Sequence, residues 1–276
     1  MPTGVVTIPI DPVFHIGPLP LHWYGVGYAV AFIVGLWFAQ SHAERHGISR
    51  DQAASVGFWT IIAGLVGARL FFDLQSGALY YVTHPQYILA AWQGGMAFFG
   101  AIFVAMATLL FLAWRRRLNF WVLFDAGAIF AAVGQPIGRI GNLINGDILG
   151  PPSNLPWATR YTNPHTLAPQ IGVAYQPAAA YEMASTLVIL AVLLLLRRRG
   201  VPNGVLALTY LVLYPVSQFG IFFLRATEPV LWLGLKQAQW TSIGVLAIGV
   251  PLAVVAWWRT ARRPATRPDA EAVAAS

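Results

Sequence analysis

Cysteine is absent from all 276 residues. That absence excludes disulfides, thiolate metal sites and a cysteine nucleophile belonging to the chain. Lysine occurs once, at Lys236, and charged residues make up only 10% of the chain. A soluble globular domain carries about a quarter charged residues. With a mean hydropathy of +0.62, so low a charge content excludes an ordinary water-soluble fold and marks a membrane protein. The formal net charge is +7, yet there is no soluble basic face on which nucleic acid could bind, so no nucleic acid partner is expected. The first twenty residues hold neither Lys nor Arg. A secretory signal peptide needs a positive start, so the N-terminus is expected to be retained. No internal repeat is visible. Low complexity is confined to the tail "RTARRPATRPDAEAVAAS", whose composition predicts disorder over 261–276.

What the chain has is long apolar runs. About 20 such residues cross the hydrocarbon core as a helix. Seven stretches qualify: Tyr24–Gln40, Ala54–Leu74, Met96–Trp114, Trp121–Asn142, Ala179–Leu196, Val205–Leu224 and Thr241–Trp258. The fourth is the weakest, because it ends in the polar, glycine-rich "GRIGNLINGDILG". The reading is therefore an all-α membrane protein, a single seven-helix domain over residues 1–260. The long loop 143–178, rich in Pro, Asn and Tyr, is expected to form a small cap, because long loops are usually functional.

The arginines orient these spans. Arg45, Arg50, Arg115–Arg117, Arg197–Arg199, Arg259, Arg262, Arg263 and Arg267 all fall in alternate loops and the tail, whereas the intervening loops hold only Arg160, Arg225 and Lys236. The positive-inside rule then places the N-terminus outside, the C-terminus in the cytoplasm and the 143–178 cap outside.

With that orientation, polar groups collect at one side. His22, Trp23 and Tyr24 begin the first span, and Arg69 and Asp73, four apart on one face, end the second. "QGGMAFFG" starts the third, and Arg139 and Asn142 end the fourth, followed by Asn145 and Asp147. Tyr181 and Glu182 open the fifth span, and Arg225 closes the sixth. Only Asp125 falls near the inner face. Charges within apolar spans are costly, so Arg69 and Arg139 need partners or an anionic ligand. Arginine's planar fork suits phosphate or carboxylate. Arg69 with Asp73 also reads as a structural pair. Gly134-x-x-x-Gly138 and Gly146-x-x-x-Gly150 also read as helix-packing motifs. Arg139, Asn142, Asn145 and Asp147 form too dense a set of donors and acceptors for packing alone.

"GRIGNLINGDILG" closely resembles the signature of the bacterial prolipoprotein diacylglyceryl transferases, and "LHWYG" and "GGMAFFG" are similar to two further blocks of that family in order and position. The resemblance spans the chain from "LHWYG" to the seventh span. It implies an enzyme of the bacterial cytoplasmic (inner) membrane, with its active site facing the outer leaflet. It also implies transfer of a diacylglyceryl group from phosphatidylglycerol to the lipobox cysteine thiol of a prolipoprotein, releasing glycerol phosphate. The partners are then phosphatidylglycerol, the lipobox peptide and membrane lipids. No cofactor and no metal are implied. Positions matching the family pattern are Tyr24, Arg139, Asn142, Asp147 and Gly150, with Asp147 where the family usually has glutamate.

Several positions depart from the pattern, and the block before the fifth span, "YQPAAAYE", keeps Pro177, Tyr181 and Glu182 but lacks the family's histidine and glutamine. Phe99 stands at a histidine position of the third-span block, and Gln218 and Phe222 stand where an arginine and a glutamate are usual. A phenylalanine cannot take a thiol proton, so the base is expected to be Asp147, Glu182 or water. The candidate catalytic residues are Arg139, Asp147, Glu182 and Tyr24. The candidate substrate-binding residues are Arg139, Asn142, Asn145, Gly141, Gly146, Gly150, Arg69, Gly95 and Tyr181. Arg69 and Arg225 are candidate replacements for the charge missing from the sixth span. The alternative is a paralogue that binds phospholipid headgroups without transferase activity. A transporter is disfavoured, because alternating-access folds carry repeats and midplane sites.

Overall fold

The computed structural model describes residues 4–88, 95–226 and 228–261. Seven α-helices run over α1 (Trp23–Glu44), α2 (Arg50–Thr83), α3 (Phe98–Arg115), α4 (Phe120–Asn145), α5 (Ala178–Arg198), α6 (Val205–Ile221) and α7 (Gln237–Ala261). Five are long and apolar enough to cross a membrane: α1, residues Arg50–Gly77 of α2, α4, α5, and residues Gln237–Val255 of α7. α3 and α6 are apolar but shorter. This is a helical membrane protein. The expected disordered tail lies, from residue 262 onward, outside the described residues.

Local chemistry sets the helix ends. Ser49 and Gln52 form a reciprocal capping box at the start of α2, each side chain meeting the other's backbone N–H at 3.2 Å. α2 is interrupted at Gly77, whose φ of 128° only glycine adopts without strain. α4 stops at Gly146, left-handed at φ 74°, whose N–H returns to the Asn142 carbonyl. Asp125, expected near the inner face, is buried and caps a different helix: its two oxygens accept from Gly204 N at 2.6 Å and Ala207 N at 2.7 Å, at the start of α6. That places a carboxylate at the positive end of the α6 dipole.

α4 is the central helix. Half of its apolar window is buried, against 17–28% for the other four long spans. Its Ile129 and Ala132 pack with Leu193 of α5 and Leu206 of α6. Its most extensive neighbour is α1, along a seam of small residues. A Cβ on Gly35 would come within 2.9 Å of the Phe130 ring, and one on Gly141 within 2.9 Å of Tyr24 Cα. Lipid tails supply no hydrophobic drive between helices, so close backbone approach of this kind holds such pairs. α2 and α3 repeat the device at Gly67 and Gly100, where a Cβ on either glycine would overlap the opposite helix. Ile33, Leu79 and Trp114, each at least 70% exposed, form the outward apolar surface that lipid covers.

Short strands add a feature the helical reading did not include. β1 (Val6–Ile8) pairs in parallel with β4 (Thr159–Tyr161), and β4 pairs antiparallel with β5 (Ala174–Tyr175). β2 (Val13–Ile16) and β3 (Leu19–His22) form a hairpin that leads into α1. The segment after α4 therefore folds with the N-terminus into one small body. Leu149, Tyr161 and Tyr175 form its core, with Ile8 packed against them. The Tyr161 hydroxyl donates to the Leu143 carbonyl at 2.7 Å, fastening this body to the last turn of α4.

Candidate active site

Glu182 is 1% exposed and lies in the first turns of α5. Its carboxylate is held from two sides. Arg139 of α4 approaches Oε2 through Nη2 at 2.5 Å, and Arg225, just past α6, approaches Oε1 through Nη1 at 3.4 Å. A buried carboxylate is costly unless paired and hydrogen-bonded, and two guanidinium groups supply the pairing. Arg139 Nη1 also donates to Asn142 Oδ1 at 3.1 Å, and Asn142 Nδ2 donates to Asp147 at 3.0 and 3.2 Å. Arg225 donates to Glu228 Oε1 at 2.8 Å and rests over the Phe222 ring, 4.6 Å from its centroid. The result is one chain of charge-assisted contacts from Asp147 to Glu228.

The backbone explains why these residues meet. Arg139 and Asn142 are three apart on α4 and share a face. After Gly146 the chain turns back along α5 and α6. Ala179 N donates to Ile148 O at 3.2 Å, Gly150 N to Gln176 O at 2.8 Å and Ala226 N to Leu149 O at 3.1 Å. The segment Asp147–Gly150 is thereby stitched between the start of α5 and the end of α6. Gly150 has no alternative there, because a Cβ would strike the Leu224 carbonyl and the Gln176 side chain. Gly146 is needed twice, for its positive φ and because a Cβ would come 3.2 Å from the Tyr161 ring.

Other candidate residues fall around this chain in distinct ways. Tyr24, 37% exposed, packs its backbone on Gly141 and its ring on Tyr28 at 4.5 Å. It lies within Coulombic reach of Asp147 and Arg139. The Tyr181 hydroxyl accepts from Trp157 Nε1 at 2.8 Å, tying the segment after α4 to α5. Asn145 is used through its carbonyl, which accepts from Leu167 N at 2.8 Å. Arg69 and Gly95 meet each other rather than this cluster. Arg69 donates to the carbonyls of Tyr87, Ile88 and Gly95 at 2.8, 2.9 and 3.1 Å and pairs with Asp73 at 3.1 Å. Its fork clamps the α2–α3 connection and is engaged by protein groups.

The departing positions have apolar or neutral roles. Phe99 stacks on Phe103, with centroids 6.3 Å apart. Gln218 is buried, with its Nε2 lacking a hydrogen-bond partner among the described residues. Positive charge at this end of α6 comes instead from Arg225. Lys236 supports it by donating to the carbonyls of Phe222 and Arg225. Burial first, and the neighbouring Arg225 second, hold the Lys236 ammonium below the ordinary lysine range. Tyr210 and Tyr214 were not singled out in the sequence. They stack at 5.3 Å, and Tyr214 faces Arg139. Their signal was a pair of tyrosines four apart within a span, well inside the zone of interfacial aromatics.

Residues 11–255 match the family model of the prolipoprotein diacylglyceryl transferases. The chain belongs to that family. A phosphatidylglycerol–prolipoprotein diacylglyceryl transferase of Cupriavidus pinatubonensis is 34% identical over 273 residues, covering 94% of this chain and 95% of that protein. Proteins of the same name from Bacillus velezensis and a Nostoc species are 32% and 33% identical, covering 89% and 94% of this chain and 92% of each relative. The matched region contains every element of the Arg139–Glu182–Arg225 cluster.

Proposed function

We propose that this member of the family transfers a diacylglyceryl group from phosphatidylglycerol to the cysteine thiol of a prolipoprotein. The observation that carries the reading is the Glu182 carboxylate clamped between Arg139 and Arg225, with Asn142 linking the clamp to Asp147. The substrate is an anion and the leaving group, glycerol phosphate, gains charge as it departs. In the reaction the bond from the diacylglyceryl carbon to the phosphate oxygen breaks and a carbon–sulfur bond forms. The thiol proton must go to a base. Asp147 is the better candidate: it is half-buried, and its described partner is a neutral amide. Glu182 is buried and already engaged by two guanidinium groups, which leaves it less open to a thiol. Arg139, whose side chain stays about a fifth exposed, brings positive charge to the phosphate, which lowers the cost of the departing group. Tyr24 and Asn142 orient the headgroup, and the glycines Gly141, Gly146 and Gly150 bring backbone close to it. Tyr181 and Asn145 support the walls, while Arg69 and Gly95 brace the α2–α3 connection.

The topology belongs to the same reading. α3 and α6 complete seven spans, the N-terminus lies outside, and the body formed by residues 143–178 with the N-terminal strands caps the site at the outer leaflet of the cytoplasmic membrane. The arginine-rich loops and the tail face the cytoplasm. A second reading, headgroup binding without transfer, draws on Phe99, Gln218 and Phe222.

An in vitro assay separates the two. Purified protein, phosphatidylglycerol and a lipobox-cysteine peptide are incubated, and glycerol phosphate release and the peptide's mass gain are followed. Arg139→Ala is expected to lower turnover by about 10²–10³-fold, the scale of a lost transition-state donor. Full turnover in that variant would overturn the assignment. Phosphatidylglycerol binding with no turnover in the unaltered protein would favour the second reading.

A further inference from the structure

The far end of the molecule holds a second charged cluster that the proposed reaction does not use. At 1.5 Å per residue, His42 lies about 27 Å along α1 from Tyr24. His42 is 2% exposed, and neither ring nitrogen has a hydrogen-bond partner among the described residues. Its ring packs on His46 at 4.3 Å. His46 in turn lines an open cleft of about 530 Å³, whose other walls are Gly200, Val201, Pro202 and Asn203 of the α5–α6 connection. Arg45, from the end of α1, and Arg197, from the end of α5, lie within Coulombic reach of His42 and of each other. Arg197 reaches Ser41 Oγ at 3.2 Å through Nη2, while its buried Nε is without a hydrogen-bond partner among the described residues.

Among the described residues no carboxylate pairs with Arg45 or Arg197. The carboxylates nearby are committed elsewhere: Glu44 pairs with Arg50 at 2.7 Å, and both Asp125 oxygens accept from the amides of Gly204 and Ala207. Topological anchoring explains arginines that point into solvent. It does not explain a buried histidine with two unmet ring nitrogens stacked on a cleft-lining histidine, or a partly buried guanidinium with an unmet Nε beside a like charge. The charge left to balance is that of the two guanidinium groups, and a guanidinium fork suits phosphate.

We propose that the cleft between the C-terminal ends of α1 and α5 binds a phosphate-bearing group of net negative charge, with His46 as its floor and Arg45 and Arg197, at the neighbouring helix ends, as the charges that attract it. A phospholipid headgroup in the leaflet opposite the proposed active site and free phosphate share this chemistry.

The missing cysteines make the test simple. A bimane fluorophore on an Asn203→Cys variant reports on the cleft alone. The labelled protein is titrated in micelles with phosphatidylglycerol, with phosphatidylcholine and with inorganic phosphate. A saturable emission change is expected with phosphatidylglycerol and not with phosphatidylcholine, weakened at least about tenfold in Arg45→Gln/Arg197→Gln. A matching response to inorganic phosphate would assign the site to the free anion, and none would assign it to the lipid. Arg139→Gln in the same background should leave the response unchanged, which separates this cleft from the proposed active site. The exposed Arg45→Gln change alone should weaken binding in the same direction without touching buried groups. An equal response to phosphatidylcholine, no response to either anion, or unchanged affinity in both Arg45→Gln and the double variant would overturn the proposal.

Discussion

At the scale of single residues, the site is governed by one buried carboxylate. Glu182 holds Arg139 and Arg225 in place, and removing one partner of a buried pair leaves the others uncompensated, at about 3–5 kcal/mol. Glu182→Gln is therefore expected to lower both turnover and the thermal midpoint. Asp147→Asn is expected to lower turnover by about 10²–10⁴-fold, the range of a lost general base, with little change in midpoint. Transfer assays and thermal unfolding, run together, check both; an Asp147→Asn protein with unaltered turnover would remove Asp147 as base. Tyr161 offers a residue-scale test of the body that covers the site. Burial pushes its hydroxyl up to about 12, above the ordinary tyrosine value near 10. Because the folded value is raised, the Tyr161–Leu143 hydrogen bond contributes in full below pH ~10 and is lost as pH rises toward 12. Tyr161→Phe should cost about 1 kcal/mol at neutral pH. The gap between it and the unaltered protein should close between pH 10 and 12, as read by thermal unfolding across that range.

At the scale of elements, glycine spacing decides which helices meet. Gly141 and Gly138 lie one turn apart on α4, yet differ sharply. A Cβ at 141 would come 2.9 Å from Tyr24 Cα, whereas at 138 it would come 3.7 Å from the Tyr28 ring. Backbone cannot yield as a ring can. Gly141→Ala is expected to push α1 from α4, displace Tyr24 and cost about 1–3 kcal/mol, while Gly138→Ala stays near the parent in thermal midpoint and turnover. Equal effects would show that the close approach is not limiting. The helices were legible because each follows an apolar run, and a helix lies at all seven of those runs, five of them long enough to cross a membrane. Their ends were less so: α2 runs past Leu74 to its break at Gly77 and resumes to Thr83. The strands were not legible. Each has two to four residues, and β1 finds its partner more than 150 positions along the chain. Neither length nor alternation signals such a pairing.

At the scale of the molecule, helix packing turns separate motifs into one site. Arg139, Asn142 and Asp147 stood together in the sequence as a dense polar run. Their connection to Glu182 and Arg225 arises only when α5 and α6 pack on α4, so the pairing was beyond a one-dimensional reading even where the residues were noticed. The same packing places the Arg139 cluster and the Arg45–Arg197 cleft at opposite ends of the bundle, one on each side of the membrane in the proposed orientation. That separation gives the topology a direct test, again because no native cysteine interferes. Asn154 is exposed in the segment after α4, and Arg198 is exposed at the end of α5. In spheroplasts, an impermeant maleimide should label an Asn154→Cys variant at once and an Arg198→Cys variant only after permeabilisation. The reverse pattern would place the carboxylate–arginine cluster in the cytoplasm, where no secreted thiol could reach it, and the proposed reaction would fall with the orientation.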